Sequence, residues 1–436
     1  MEELRIGVLG FGTVGTGTVR LLLTNGELLA QRTGVRFRLV RIATLDPQGD
    51  RGLDLAGIEV TDDAWKVVDG DDIDVVVEVM GGLEPAGSLV LRALRNGKPV
   101  VTANKALLAQ RGEGLIAEAL RSGVELGFEA AVAGAVPVIK ALKESLAANR
   151  IQQVYGILNG TCNYILTEMR EKGLPFATIL GEAQRLGFAE ADPSFDVDGI
   201  DAAHKLTILA SLAFGTPLDF ERVTVEGIRH ISDVDIAWAT EMGYRIKLLA
   251  VARRSGDEIE LGVRPVLVAD ASMVATVEGV FNAVFIEGDF SGTTMYYGRG
   301  AGERPTASAV VADLVEIGRN RRSGARGRVP TLSILPQHLV PLPVRDSREQ
   351  SGEYYIRLEV RDRPGVLAQL TEVLARFGIS IDAIHQKGRS QESAVPLVMV
   401  THETTERQVR DALVQIAALD PVSEPPRLIR IESGLA

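Results

Sequence analysis

The sequence predicts an α/β chain in three parts: an open parallel sheet wound with helices, an α+β domain in the middle, and a βαββαβ unit at the C-terminus. Three observations predict it. β-Branched runs alternate with helical segments up to about residue 135. Strands and short helices intermix from Val223 to Val284. Strand, helix, strand, strand and helix then follow one another from residue 353.

At 436 residues the chain has room for two or three domains, and a hydrophobic content of 46% supplies sizeable cores. The net charge of −11 argues against nucleic acid or an anionic membrane as the main partner and leaves small molecules. The single cysteine, Cys162, excludes an intramolecular disulfide and a multi-thiolate metal site, which fits a reducing cytoplasm. The opening MEELRIGVLG lacks the basic flank and apolar core of a signal peptide. No apolar run approaches the roughly 20 residues of a membrane span.

Leu4 to Leu9 reads as a buried strand, and GTVRLLLTNG as a helix reaching about Asn25. Between them, Gly10, Phe11, Gly12, Thr13, Val14 and Gly15 form a G-x-G-x-x-G turn. Its first glycine permits the tight turn, its second lets backbone approach a pyrophosphate, and its third lets helix pack on strand. This is the Rossmann-type dinucleotide fingerprint. A second strand, Phe37 to Thr44, ends at Leu45 and Asp46. An acid there receives a ribose 2′-hydroxyl, so Asp46 leans towards NAD, while Arg41 and Arg51 keep NADP open. Strands at Asp74 to Val79 and Pro99 to Thr102 end in MGG and ANK. Ligands bind beyond such strand ends, which places Met80, Gly81, Ala103, Asn104 and Lys105 at the cofactor site.

After about residue 135 the character changes. The small residues of FEAAVAGAVPVIKAL suit a tightly turning backbone whose carbonyl oxygens could take a hard cation. GILNGTCNYIL ends a strand at Asn159, Gly160 and Thr161, which can hold a small polar ligand. The segment from Gly187 to Lys205 is the most informative: it carries Glu190, Asp192, Asp196, Asp198 and Asp201 and then leads into an apolar helix. Asp201 and Lys205 stand four apart, on one helix face at the mouth of a core. The Asp192-Pro193 break allows a loop to fold Glu190 back over the helix start.

The segments EGIRHI, YRIKLLAVARR, EIELGVRPVLV and NAVFIEG suggest a broad sheet with one face on helices and the other free for a second subunit. GRGAGERPTASAVVADLVEIGRN, 298–320, offers backbone at Gly300 and Gly302 and a helix expected to return to the first domain and complete the cofactor pocket. Prolines 330, 336, 341 and 343 mark 321–352 as a linker, and 353–436 as a separate unit. In that unit the Asp-Arg-Pro-Gly turn at 362–365 presents amides suited to an amino-acid carboxylate.

These motifs give the chain its resemblance. GFGTVG at 10–15, NKA at 104–106, NGTCNYIL at 159–166, GFAEADPSFDVDGIDAAHK at 187–205 and GRGAGERPTAS at 298–308 resemble homoserine dehydrogenase with a C-terminal ACT domain, over essentially the whole length. The resemblance implies NAD(P)-dependent interconversion of L-homoserine and L-aspartate 4-semialdehyde, on the route from aspartate to threonine and methionine. It makes Lys205 the general acid/base. The residues agree, since a lysine exchanging protons near neutrality needs desolvation or a neighbouring cation, and Lys105 is a candidate for both that cation and the oxygen-polarising group. It further implies that Asp201 and Glu190 hold the substrate ammonium and that Gly187 lies between cofactor and substrate. Glu129, with the carbonyls of Val132, Gly134 and Val136, would bind a structural sodium ion. Threonine as an effector at the ACT domain, and a homodimer or homotetramer, are also implied. The implied division is 1–135 for dinucleotide, completed by 298–320, 136–297 for substrate and dimerisation, and 353–436 for regulation. Leu45 departs from the family pattern, in which many members carry arginine, and that puts strict NADP preference in doubt. Two other readings are a non-catalytic amino-acid sensor, which would not need Glu190, Asp201, Lys105 and Lys205 together, and a thiol-dependent semialdehyde dehydrogenase. For the latter only Cys162 is available, with no histidine obviously placed to serve it.

Overall fold

In the computed structural model, which describes residues 1–387 and 394–435, six strands form a parallel sheet in the order β3-β2-β1-β4-β5-β6. They are β1 (Glu2–Leu9), β2 (Val35–Ala43), β3 (Glu59–Thr61), β4 (Val75–Glu78), β5 (Val100–Thr102) and β6 (Leu126–Gly127). This is the doubly wound order, with its switch point between β1 and β4. Valines 75, 76 and 77 are buried on both faces, which is what a mid-sheet parallel strand requires. The first helix, Thr13–Thr33, runs eight residues past the expected end, because Leu29 and Ala30 continue its buried stripe and Gly34, at φ 74°, caps it. Helix Glu303–Ser323 returns to the first domain as expected. It packs so closely on the first helix that a Cβ at Gly17 would meet the Glu303 carbonyl at 2.5 Å.

The middle of the chain builds a second sheet from β7 (Ile151–Ile157), β8 (Thr224–Val225), β9 (Tyr244–Ser255), β10 (Glu258–Ala269), β11 (Phe281–Gly288) and β12 (Gly292–Arg299). EGIRHI is not one of its strands. It forms a turn that leads into helix Asp233–Glu241, which is held by a Ser232/Asp235 capping box. One sheet face carries Val154, Ala250 and Val284 into the core shared with helix Ile200–Phe214. The other was expected to await a second subunit. Instead Val274, Ala275 and Val277 of this chain, joined by Leu435, pack on its Tyr155, Leu249 and Phe285.

The C-terminal strands are β13 (Ser351–Arg361), β14 (Ile381–Gln386), β15 (Ala394–Thr401), β16 (Thr404–Thr405) and β17 (Arg427–Glu432). With helices Val366–Arg376 and Glu406–Ala417 they give the predicted βαββαβ pattern, sheet order β17-β13-β15-β14. The unit is not set apart. β17 pairs in parallel with β10 through Val266 to Val268, so one continuous sheet crosses both domains. Asp235 accepts from Arg357 Nε at 2.7 Å and from the Tyr355 hydroxyl at 3.0 Å across the same junction. The segment read as a linker is also tied down: the Ile259 amide donates to Pro343 and the Arg345 amide to Ile259. Backbone donors on a nearby strand had found acceptors there, which proline content does not reveal.

Candidate active site

The glycine turn shows two different uses of a missing side chain. A Cβ at Gly15 would lie 2.1 Å from the Gly10 carbonyl, so its glycine is demanded by packing. At Gly12 a Cβ would meet nothing within 4 Å, so that glycine leaves open space in front of the helix amides at Thr13 and Val14, as a dinucleotide requires. Beneath Met80 and Gly81 lies Glu78, which is buried. One of its oxygens accepts from the Met80 and Gly81 amides at 2.8 and 3.2 Å, and the other from the Thr102 hydroxyl at 2.6 Å. Burial pushes its carboxyl above the ordinary range. Sequence reading passed over Glu78, although a carboxylate inside an apolar strand was the available signal. Gly302 precedes Glu303, whose carbonyl abuts Gly17 on the first helix, so the second glycine loop stands beside the first domain.

At the end of β2 the Asp46 carboxylate meets Arg51 Nη2 at 3.2 Å. Arg51 also donates to the Phe11 carbonyl at 3.2 Å, with its guanidinium 5.7 Å from the Phe11 ring centre. Arg41 is engaged elsewhere, on Glu59 and Asp72. Of the two arginines weighed for NADP, only Arg51 reaches the glycine turn.

The chemistry gathers where β5 and β7 end. Asn104 caps helix Lys105–Ser122 by accepting from the Leu107 amide at 3.1 Å, and donates to Gly82 at 2.7 Å, so the ANK and MGG turns are tied together. That fixes Lys105 at the helix start, with its ammonium 2.9 Å from Asp201 Oδ1. Asp201 Oδ2 lies 2.7 Å from Lys205 Nζ, one turn further along helix Ile200–Phe214. Lys205 also donates to the Leu158 carbonyl at 2.6 Å. Asn159 caps helix Gly160–Lys172, accepting from the Cys162 amide, and its Nδ2 donates to Asp201 at 2.8 Å and to Asp196 at 2.7 Å. The Thr161 hydroxyl, with one hydrogen to give, lies 2.8 Å from the Phe188 carbonyl and 3.1 Å from Asp196.

One buried carboxylate, 3% exposed, therefore holds two lysines. Burial opposes its ionisation, yet Lys205 and Lys105 keep the Asp201 carboxyl well below the usual range. Lys105 is raised, chiefly by Asp201. Lys205 is lowered: burial acts first, Asp201 opposes, and Lys105 repels a second positive charge. Burial and Asp201 together raise Asp196, which sequence reading did not separate from its four acidic neighbours. Gly187, at φ 75°, and Glu190 lie exposed on the rim, with Glu190 within electrostatic reach of Lys105. Gly160 begins its helix directly against β11, where a Cβ would meet the Val280 carbonyl at 2.8 Å.

The predicted cation loop follows β6. Glu129 is buried, and its two oxygens accept from the Ile139 and Lys140 amides at 3.0 and 2.9 Å. Burial and Asp313 push it up to about 7. Ala133 and Gly134 are both left-handed, at φ 55° and 53°, and the Val136 carbonyl accepts from Val138. Among the described residues no group of three His, Cys, Asp or Glu side chains could hold a metal. Both Glu129 oxygens and the Val136 carbonyl are thus already engaged by backbone amides.

A bare glycine turn at the switch point, in one chain with a buried amine whose proton affinity is held down, is the equipment of an NAD(P)-dependent oxidoreductase. The comparisons with known proteins narrow it. Residues 10–129 match the homoserine dehydrogenase NAD-binding domain, 137–315 the homoserine dehydrogenase family, and 354–420 the ACT domain. The chain is 48% identical to the homoserine dehydrogenase of Pseudomonas aeruginosa over 433 residues, covering 99% of each. Against that of Neisseria gonorrhoeae the identity is 46%, again covering 99% of each. It superposes with a TM-score of 0.92 on the crystal structure of a homoserine dehydrogenase from Thiobacillus denitrificans, at 49% identity and with 99% of both chains covered. A hyperthermophilic archaeal homoserine dehydrogenase in complex with NADPH aligns at a TM-score of 0.62 and 27% identity, over 72% of this chain and 97% of that one. The chain belongs to the homoserine dehydrogenase family, with an ACT domain at its C-terminus.

Proposed function

We propose that Lys205 is the general acid/base of the interconversion of L-homoserine and L-aspartate 4-semialdehyde, carried by one observation: Asp201 is buried between two lysines and only Lys205 is lowered. When bound, the nicotinamide supplies the hydride acceptor or donor. Neutral Lys205 takes the proton of the homoserine hydroxyl, and its ammonium returns that proton to the aldehyde oxygen in the reverse direction. Lys105 keeps its charge and polarises the same oxygen. The resemblance implies Asp201 as an ammonium ligand, but its one charge is already shared by two ammonium groups, Lys105 and Lys205, whereas Asp196 meets only the neutral Asn159 and Thr161. We assign Asp201 to positioning the lysines and give the substrate ammonium to Glu190 and Asp196, beside Thr161, Gly160 and Gly187. Lys205→Ala should lower turnover by orders of magnitude while NAD(P) still binds, read by steady-state rates and nicotinamide fluorescence. Near-normal turnover would sink the assignment.

Arg51 supports acceptance of a 2′-phosphate and Asp46 that of a 2′-hydroxyl, so both NAD and NADP serve, and initial rates with each cofactor measure the preference. Sodium fits the Glu129 loop, where a cation would offset a carboxylate that burial penalises. The expected outcome is a higher melting temperature in sodium chloride than in choline chloride, absent in Glu129→Ala. The ACT domain, fused to the catalytic sheet, suits threonine as an effector, which rate assays with and without threonine test. A homodimer, or a tetramer built from it, is proposed through the exposed β12 edge, where Tyr297 and Phe290 stand in solvent. We place the protein in the cytoplasm, because its single cysteine suits a reducing compartment; among the described residues no helix is long and apolar enough to cross a membrane.

A further inference from the structure

We propose that His204 is a positioning residue for the reacting centre, fixing where the Lys105 ammonium stands relative to Asp201 and Lys205. The inference rests on the roles given above to Lys105 and Lys205. His204 is 1% exposed and sits between these groups in the chain, one residue before Lys205 and three after Asp201. Its ring lies between Phe220, with centroids 4.4 Å apart, and Phe195, at 5.4 Å. The exposed side of this arrangement belongs to Lys105, whose ammonium stands 5.6 Å from the Phe195 ring centre. Phe195 is thus propped by His204 and in turn gives Lys105 an aromatic surface to rest on.

A second contact ties the same two helices directly. Gln110, one and a half turns after Lys105 on helix Lys105–Ser122, places Nε2 3.2 Å from His204 Nε2. With the Gln110 amide nitrogen turned to the ring, His204 Nε2 accepts and Nδ1 carries the hydrogen. Nδ1 is buried and has no partner among the described residues. An unpaired buried donor is unfavourable, and an apolar ring would fill the same space without it, so stability alone does not account for a histidine here.

The charged groups facing the ring are Asp201 on its own helix and Lys105 on the neighbouring one, while the two phenylalanines present only ring surface. Burial, reinforced by Lys105 against Asp201, draws the imidazole down to about 4. It stays neutral through the physiological range and adds no third cation to the two lysines. His204 therefore acts by placement and does not compete with Lys205 as a base.

The test uses the full chain and three substitutions, with Lys205→Ala measured alongside. His204→Phe keeps the ring packing but removes the acceptor. Homoserine oxidation should then fall roughly ten- to hundredfold in kcat, with the cofactor KM little changed, because displacement of a polarising group acts on the reacting geometry. The limb of the pH profile that reports Lys205 should move to higher pH, since withdrawal of Lys105 removes a charge that lowers it. A merely structural role would not move that limb. His204→Gln, which restores an acceptor near the Nε2 position, should recover much of the rate. Gln110→Leu should reproduce the loss, and the double variant should add little to it. Gln110→Leu carries the test by itself if His204→Phe fails to fold. Unchanged kcat and an unmoved limb in folded His204→Phe or Gln110→Leu would overturn the inference while leaving Lys205 in its role. Retained turnover in Lys205→Ala would remove both.

Discussion

The glycine turn after β1 and the acidic segment before helix Ile200–Phe214 handle space and charge in opposite ways. At Gly12 the chain leaves room and free helix amides, with nothing of its own within 4 Å of where a side chain would begin. At Asp201 the chain leaves no room: both oxygens are occupied, and the lysines and Asn159 that occupy them are anchored to different elements. The first region receives a group that arrives from outside. The second holds its charges before anything arrives, so that the proton affinity of Lys205 is already set. Binding is written as absence and chemistry as saturation.

The largest expected effect comes from unpairing the saturated region. Asp201→Asn leaves two buried or half-buried ammonium groups without their shared carboxylate, and breaking such a pair costs about 3–5 kcal/mol. Denaturant midpoints should fall accordingly and activity should vanish with them. A variant as stable as the parent would mean that solvent or a neighbouring acid compensates, and the contrast between the two regions would fail.

The glycine turn can be divided within itself. Gly15→Ala forces a methyl against the Gly10 carbonyl and should destabilise by about 1–3 kcal/mol, since backbone must shift. Gly12→Ala meets no protein atom, so stability should stay within ~0.5 kcal/mol. Its KM for NAD(P) should nevertheless rise roughly tenfold or more, as the methyl takes space the pyrophosphate needs. Thermal melting and cofactor titration of the two variants separate packing from binding. If both lost stability equally, the open space at Gly12 would have no bearing on ligand.

How much of this was legible follows from how local each signal is. The G-x-G-x-x-G turn and the Asp201/Lys205 spacing lie within six residues or one helical turn, so order in the sequence is nearly order in space. Asp196 was not separable from its acidic neighbours because the groups that single it out, Asn159 and Thr161, are 37 and 35 positions away. Glu78 was read as part of a strand, since its partner Thr102 becomes a neighbour only when β4 and β5 pair. The same holds on a larger scale for β17 and β10. Each strand was recognisable by its own pattern, but nothing local states that residues 266–268 pair with 430–432 and carry one sheet across two domains. The first helix was under-read for a different reason: Asn25-Gly26 is a reasonable stop signal, and burial of Leu29 and Ala30 overrides it.

The smallest expected effect lies at the opposite end of the parallel sheet, where strands begin and no ligand is expected. Asp74 precedes β4, and its carboxylate accepts from Arg5 Nη2 at 2.9 Å and lies 3.1 Å from Arg321 on the returning helix. Burial opposes its ionisation, but the hydrogen bonds from Arg5 and Arg321 prevail and hold it down at about 2. A carboxylate with a depressed folded pKa binds protons more weakly in the native state. Its contribution is therefore complete above the unfolded value near 3.9 and is lost as pH falls through about 2. Because Arg5 and Arg321 are more than a third exposed, solvent screening limits that contribution to roughly 1 kcal/mol. Asp74→Asn should lower the melting temperature slightly at neutral pH and flatten its fall in acid, while KM for both homoserine and NAD(P) stays at the parent value. A change in KM would mean that the two ends of the sheet are coupled, and that the division between a binding edge and a structural edge is not maintained in this fold.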